Sequence, residues 1–138
     1  MRLPITLVWF AAYSLLAFDS NLSCVERLEV PGYPRLAAQA DLGLVISATV
    51  VLAPDATIQE TKLTVAGPFE KRRSLFAPAV QSALARSTFQ RACAGKSISL
   101  VFHFVLDDHP KYPEYVDRIS FVYPNQFKIL TRRPHFQP

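Results

Sequence analysis

Two long stretches of strict alternation constrain what this 138-residue chain can fold into. In the first, Leu44, Ile46, Ala48, Val50 and Leu52 fall on one side, and Val45, Ser47, Thr49 and Val51 on the other. In the second, Ile98, Leu100, Phe102, Phe104 and Leu106 share one side, and Ser97, Ser99, Val101, His103 and Val105 the other. Successive side chains of a β-strand point to opposite faces, so each stretch predicts a strand with one buried face. A sheet with one apolar face needs a second layer to cover it.

The rest of the chain supplies that layer. Pro34 to Ala40 predicts a short helix opened by proline. Ala53-Pro54-Asp55-Ala56 reads as a turn, and Ile58 to Val65 as a strand that returns against the first. Ile58 differs in parity from Leu63 and Val65, which predicts a bulge near Glu60-Thr61. Gly67-Pro68 ends that strand, and Glu70 to Arg73 reads as a solvated loop. A helix follows, beginning between Ser74 and Pro78 and ending near Ser87. Phe76, Val80, Ala83, Leu84 and Ser87 recur on one of its sides. Phe89 to Gly95 connects to the second alternating strand, and Asp107 to Tyr115 reads as a loop. Arg118–Tyr123 and Gln126–Thr131 predict a hairpin around Pro124-Asn125. The expected fold is α+β: a small antiparallel sheet with two helices on one face, in the order helix-strand-strand-helix-strand, plus a C-terminal hairpin.

The N-terminus predicts export. Met1-Arg2 is a short positive start, and Leu3 to Phe18 is an almost wholly apolar run of 16 residues. That is shorter than the ~20 residues that span a bilayer core. Residues 1–19 therefore read as a signal peptide, with a short uncleaved anchor as the alternative. Residues 20–131 read as one domain and 132–138 as a polar, loose tail. Removing residues 1–19 takes away Arg2 and Asp19, so the charge stays at +4 (15 − 1 basic, 11 − 1 acidic). In an oxidising compartment Cys24 and Cys93 read as a disulfide pair, with lipidation of Cys24 as the alternative. A crosslink closing about 70 residues stabilises by roughly 4 kcal/mol at most in the chain-entropy account.

The order and spacing of these elements resemble the C-terminal domain of TonB, the periplasmic energy transducer family. Tyr33-Pro34 stands where that domain begins. A short alanine-containing helix, Arg35 to Ala40, follows, and Gly43 precedes the first strand. Arg86 and Phe89 fit the end of the family's second helix, and Gly95 and Phe102 to Phe104 fit its closing strand. Ser87 stands where the family usually has Trp, and Asp55-Ala56 replaces an Asp-Gly turn. The resemblance covers about residues 31–106. It implies pairing of a sheet edge with an extended segment of an envelope protein, an outer-membrane receptor or another periplasmic protein. On that reading the partner-binding residues are Ser97, Ser99, Val101, His103 and Val105, on the outward side of the last core strand. The segment from Ser20 to Gly32 reaches only about 45 Å when extended, too short for the family's long arm.

Other chemistry is not expected. His103, His109 and His135 have no companion at metal-ligand spacing, and the glycines form no phosphate loop. No cofactor, metal or catalytic residue is expected, and the chain reads as a non-enzyme. The basic runs at Lys71–Arg73 and Arg132-Arg133 are short, and export argues against nucleic acid. Membrane contact is expected only through an uncleaved leader. Two readings of a periplasmic or secreted protein follow. One is a TonB-like domain that binds an envelope partner by strand pairing in transport-related energy transduction. The other is a disulfide-bonded structural or interaction module, closed by its own hairpin, with no transducer role.

Overall fold

The computed structural model describes residues 20–122 and 124–134. The expected leader, residues 1–19, and the expected tail from 135 onward lie outside them.

The described chain opens with one helical turn, α1 (Ser20–Ser23), and a short strand, β1 (Val25–Arg27). It continues through α2 (Arg35–Gln39), β2 (Leu44–Leu52), β3 (Ile58–Val65), a 3-10 turn (Glu70–Arg72) and the main helix α3 (Arg73–Ala85). After β4 (Thr88–Phe89) and a second 3-10 turn (Arg91–Cys93) come β5 (Ser97–Asp107), β6 (Arg118–Val122) and β7 (Gln126–Arg132). The fold is thus α+β, with one main helix and two sheets. β1 and β4 form a two-stranded sheet, and the other strands form a five-stranded sheet in the order β3-β2-β5-β7-β6.

β2 pairs antiparallel with β3 on one side and with β5 on the other, with Ala48 opposite both Leu63 and Leu100. β7 runs parallel to β5 and antiparallel to β6, so it lies between them. The sheet is therefore mixed, where the alternation predicted an antiparallel one. Periodicity reports which face a side chain takes and says nothing of which strand lies alongside. The bulge is present one position earlier than expected. Val51 lies opposite Glu60 and Leu52 opposite Ile58, leaving Gln59 as the extra residue.

The alternating apolar residues all turn to one side. Ile46, Ala48, Val50, Ile98, Leu100, Phe102 and Ile129 are fully buried there, against Ala37 of α2 and Phe76 and Val80 of α3. Each large side chain so buried contributes about 1.5–3 kcal/mol. Two residues of the Tyr-Pro…Gly pattern have clear physical reasons. Tyr33 stacks edge-on against Phe76 and Phe104, and its hydroxyl donates to the Leu42 carbonyl at 2.5 Å. Burial pushes this phenol well above its ordinary pKa, so it stays a donor. Gly43 lets β2 enter beside β5, since a β-carbon there would sit 2.7 Å from the Phe104 carbonyl oxygen.

Two other expectations change, and the segment from Ser20 to Gly32, too short for an arm, folds onto the domain. Leu22, Val25, Leu28 and Val30 pack on the core, and the Glu29 amide donates to Ser87 Oγ at 3.0 Å. That bond explains a serine at position 87, which also donates to the Ala83 carbonyl. The basic run at 71–73 is not merely solvated. Arg72 donates to the Gly43 carbonyl and stacks on Phe69, and Arg73 opens α3. The start of the tail is tied down: Arg132 ends β7, and Arg133 bridges Asp41 at 2.5 Å and Asp108 at 2.6 Å.

Candidate partner-binding edges

Ser97, Ser99, Val101, His103 and Val105 lie on the open face of β5, away from the helices. The strand that carries them is interior. β2 holds one side from Ser97 to Phe104, and β7 holds the other from Val101 to Asp107. Hydrogen bonding makes the assignment concrete. The Val101 amide donates to the Asn125 carbonyl at 3.0 Å, and the Arg133 amide to the Asp107 carbonyl at 2.7 Å. The odd-numbered residues of β5 thus spend their main-chain groups on β7, and the strand offers no free edge there. Only Ser97 to Leu100 run beyond the start of that ladder, and there the Asn125 side chain donates to the Ser99 carbonyl.

The sheet's real edges are β3 and β6. On β3 the Ala66 amide donates to the Val45 carbonyl, so Thr64, Lys62 and Glu60 face β2. Leu63 and Thr61 then turn their main-chain groups outward. The outward carbonyl of Leu63 accepts a hydrogen bond from Arg73 Nη1 at 2.7 Å. The main chain of Thr61 has no protein partner among the described residues, and Thr61 lines a groove of about 580 Å³. The groove runs between β3 and the second half of α3. Ala56, Ile58, Leu84 and Phe89 give it an apolar floor, and Glu26, Asp55, Gln81 and Arg91 a polar rim.

Local sequence builds each wall. Asp55 Oδ1 accepts from the Thr57 amide at 3.1 Å and the Thr57 hydroxyl at 2.6 Å, a side-chain-closed turn. These bonds hold the Asp55 carboxyl below its ordinary pKa. Ala56 completes the turn at φ 65°, where glycine is usual, and its methyl is buried on the groove floor. Leu84 and Gln81 come from one side of α3. The far wall is the β1–β4 sheet, and the Cys24–Cys93 disulfide crosslinks the segments beside it. The Gln90 amide donates to the Cys24 carbonyl at 2.8 Å across the same junction.

The sequence marked both cysteines. It gave no signal for the groove itself, which exists only where three distant segments meet. The opposite edge, β6, is built differently, with Ile119, Phe121 and Val122 all exposed.

The two described histidines, His103 and His109, form no cluster. His103 faces Val122, Gln126 and Lys128 on the open side of the sheet. His109 packs against Tyr112 and accepts from the Lys111 amide, and His135 lies outside the described residues. Among the described residues no group of three or more His, Cys, Asp or Glu side chains is placed to hold a metal, and no helix is long and apolar enough to cross a membrane. The disulfide is consistent with an oxidising compartment. Compared with the models of known protein families and with curated proteins, the chain matches none of them.

Proposed function

We propose that this chain is an exported, disulfide-bonded interaction module, and that it clamps an extended segment of an envelope or secreted protein between β3 and α3. One observation carries the reading: Thr61, whose main chain turns outward at the sheet edge, lines a largely apolar groove whose other wall is a helix. A strand added there gains main-chain hydrogen bonds from the sheet edge, and its alternate side chains enter the pocket. Neither requires a catalytic group, and the module acts by binding alone.

Energy transduction is the second reading, supported by the TonB-like pattern of residues 31–106. There the partner strand would pair with β5, and β7 would have to leave it first. Transport coupling thus requires an opening of the hairpin, whereas clamping at β3 requires none.

Extended peptides selected by display against the oxidised protein test both. Binding at β3 is expected to slow hydrogen exchange at the Thr61 amide and leave the amides of β7 protected. Thr61→Pro is the decisive variant. The Thr61 amide points away from the ladder, so proline removes no internal bond and the domain should stay folded. Peptide affinity is expected to fall at least about tenfold, one lost main-chain pair being worth roughly 1.5 kcal/mol. A folded Thr61→Pro protein that binds at full strength ends the proposal. Peptide-induced exchange along β7 would favour the second reading.

A further inference from the structure

We propose that β6 pairs with β6 of a second copy of this chain, antiparallel about Ser120, so that the two five-stranded sheets join edge to edge. The Asn125 carbonyl and the Arg133 amide bond to β5, which sets the odd-numbered residues of β7 toward β5 and its even-numbered residues toward β6. Ser120 lies opposite Lys128 and therefore faces β7. Ile119 and Phe121 then turn their main-chain donors and acceptors out at the free edge.

The side chains of the same two residues extend the core. Ile119 lies opposite Ile129 and Phe121 opposite Phe127, on the face that is buried elsewhere, yet Ile119 is 55% exposed and Phe121 48%. Among the described residues no helix reaches β6, which leaves this end of the apolar layer bare. Natural edges of this kind are protected by charges, prolines or bulges. Ile119 to Val122 has none of them. Arg118, the nearest charge on the strand, is paired with Asp107 and lies over the Tyr112 ring.

The strand is complementary to itself. About Ser120 the antiparallel register sets Ile119 against Phe121 of the other copy, and Phe121 against its Ile119. Both pairs join outward-facing residues, so each can exchange two main-chain hydrogen bonds. The two Ser120 side chains meet on the axis, and no charge faces a like charge. An isologous contact of this sort closes on itself and gives a dimer rather than a fibre. A different protein could pair with this edge, but nothing on β6 selects one, whereas its own sequence satisfies every outward group.

Sedimentation of the oxidised, exported chain from low micromolar to submillimolar concentration tests the pairing. A reversible monomer–dimer equilibrium is expected, and Ile119→Lys should raise its midpoint at least tenfold without changing the circular dichroism. Ser120→Cys, made with Cys24–Cys93 left oxidised, should form a covalent dimer far faster than Ser99→Cys on the same face of β5. A chain that stays monomeric throughout, or a dimer indifferent to Ile119→Lys, overturns the proposal. So does a dimer lost in Thr61→Pro, which would place the contact on β3. Because the groove lies at the other end of the sheet, failure here leaves the clamp untouched, and failure of the clamp leaves this pairing untouched.

Discussion

At one end of the sheet, β3 carries Glu60 and Lys62, a bulge at Gln59, and a guanidinium on its outward carbonyl at Leu63. At the other end, β6 has four uncharged residues, no bulge, and an apolar face that no helix of the described residues covers. Both are edges of the same five strands, but they are guarded differently. On β3 the guards leave one gap, at Thr61, and that gap has a pocket beside it. On β6 they are missing altogether. A guarded edge with one opening suits a selective contact with another protein. A bare and self-complementary edge suits a contact with its own kind.

The largest test of this contrast is chemical. Reducing Cys24–Cys93 is expected to lower stability by roughly 4 kcal/mol, the chain-entropy value for a crosslink of this span. The damage should concentrate at the groove, whose far wall the crosslink holds. Exchange at the amides of β1 and β4 should accelerate well before that of β6 and β7. Uniform acceleration would show that the bond stabilises the whole chain alike.

Next comes a matched pair on the hairpin. Ile129→Ala, at a fully buried position, is expected to cost about 3 kcal/mol, whereas Ile119→Ala directly opposite should stay within about 0.5 kcal/mol at dilute concentration. Urea denaturation of both variants measures the difference. Equal costs would mean that the β6 face is covered after all.

Arg73→Met should cost about 1 kcal/mol, because it removes the hydrogen bond to Leu63. It also unguards β3, so aggregation at high concentration should rise in light scattering. No change in either would demote Arg73 to a surface charge.

The smallest effect involves pH. Arg118 hydrogen-bonds Asp107 and holds its carboxyl below the ordinary range. A lowered folded pKa stabilises above the unfolded value and is lost as pH falls through the folded one. Asp107→Asn should therefore lower the melting temperature at neutral pH by an amount corresponding to at most about 1 kcal/mol, and the difference should vanish in acid. A gap that persists in acid would assign the effect to packing.

Much of the scaffold is legible in the sequence because it rests on period-two alternation. β2 and β5 declare their buried faces residue by residue, and the parity change at Ile58 declares the bulge to within a residue or two. What alternation cannot encode is adjacency. Nothing in Gln126 to Arg132 says that it lies beside β5 and runs parallel to it, so the edge assigned to a partner is taken by the chain itself. The docking of Ser20 to Gly32 was equally hidden, since its apolar residues follow no period and its decisive bond is a backbone amide to Ser87. The arginines at 72 and 73 read as solvated because their partners, Gly43 and Leu63, are main-chain carbonyls. The groove draws on residues from Glu26 to Arg91 and has no local signature.

The insertion of β7 between β5 and β6 has a further consequence for how the chain comes into being. During synthesis β5 emerges well before its neighbour. Until Gln126–Arg132 arrives, its odd-numbered amides and carbonyls from Val101 onward are unmet, and β6 cannot lie in its final place because a strand-wide gap must be kept for β7. The span from Asp108 to Asp117 keeps that gap open. It arches over the end of β7, where Arg132 bonds to the Tyr112 carbonyl at 3.1 Å. The nascent protein thus passes through a stage in which an open apolar edge waits for β7, the interval in which strands of neighbouring molecules can intrude. A ribosome that stops short of β7 would release a chain in which β5 is left half-paired.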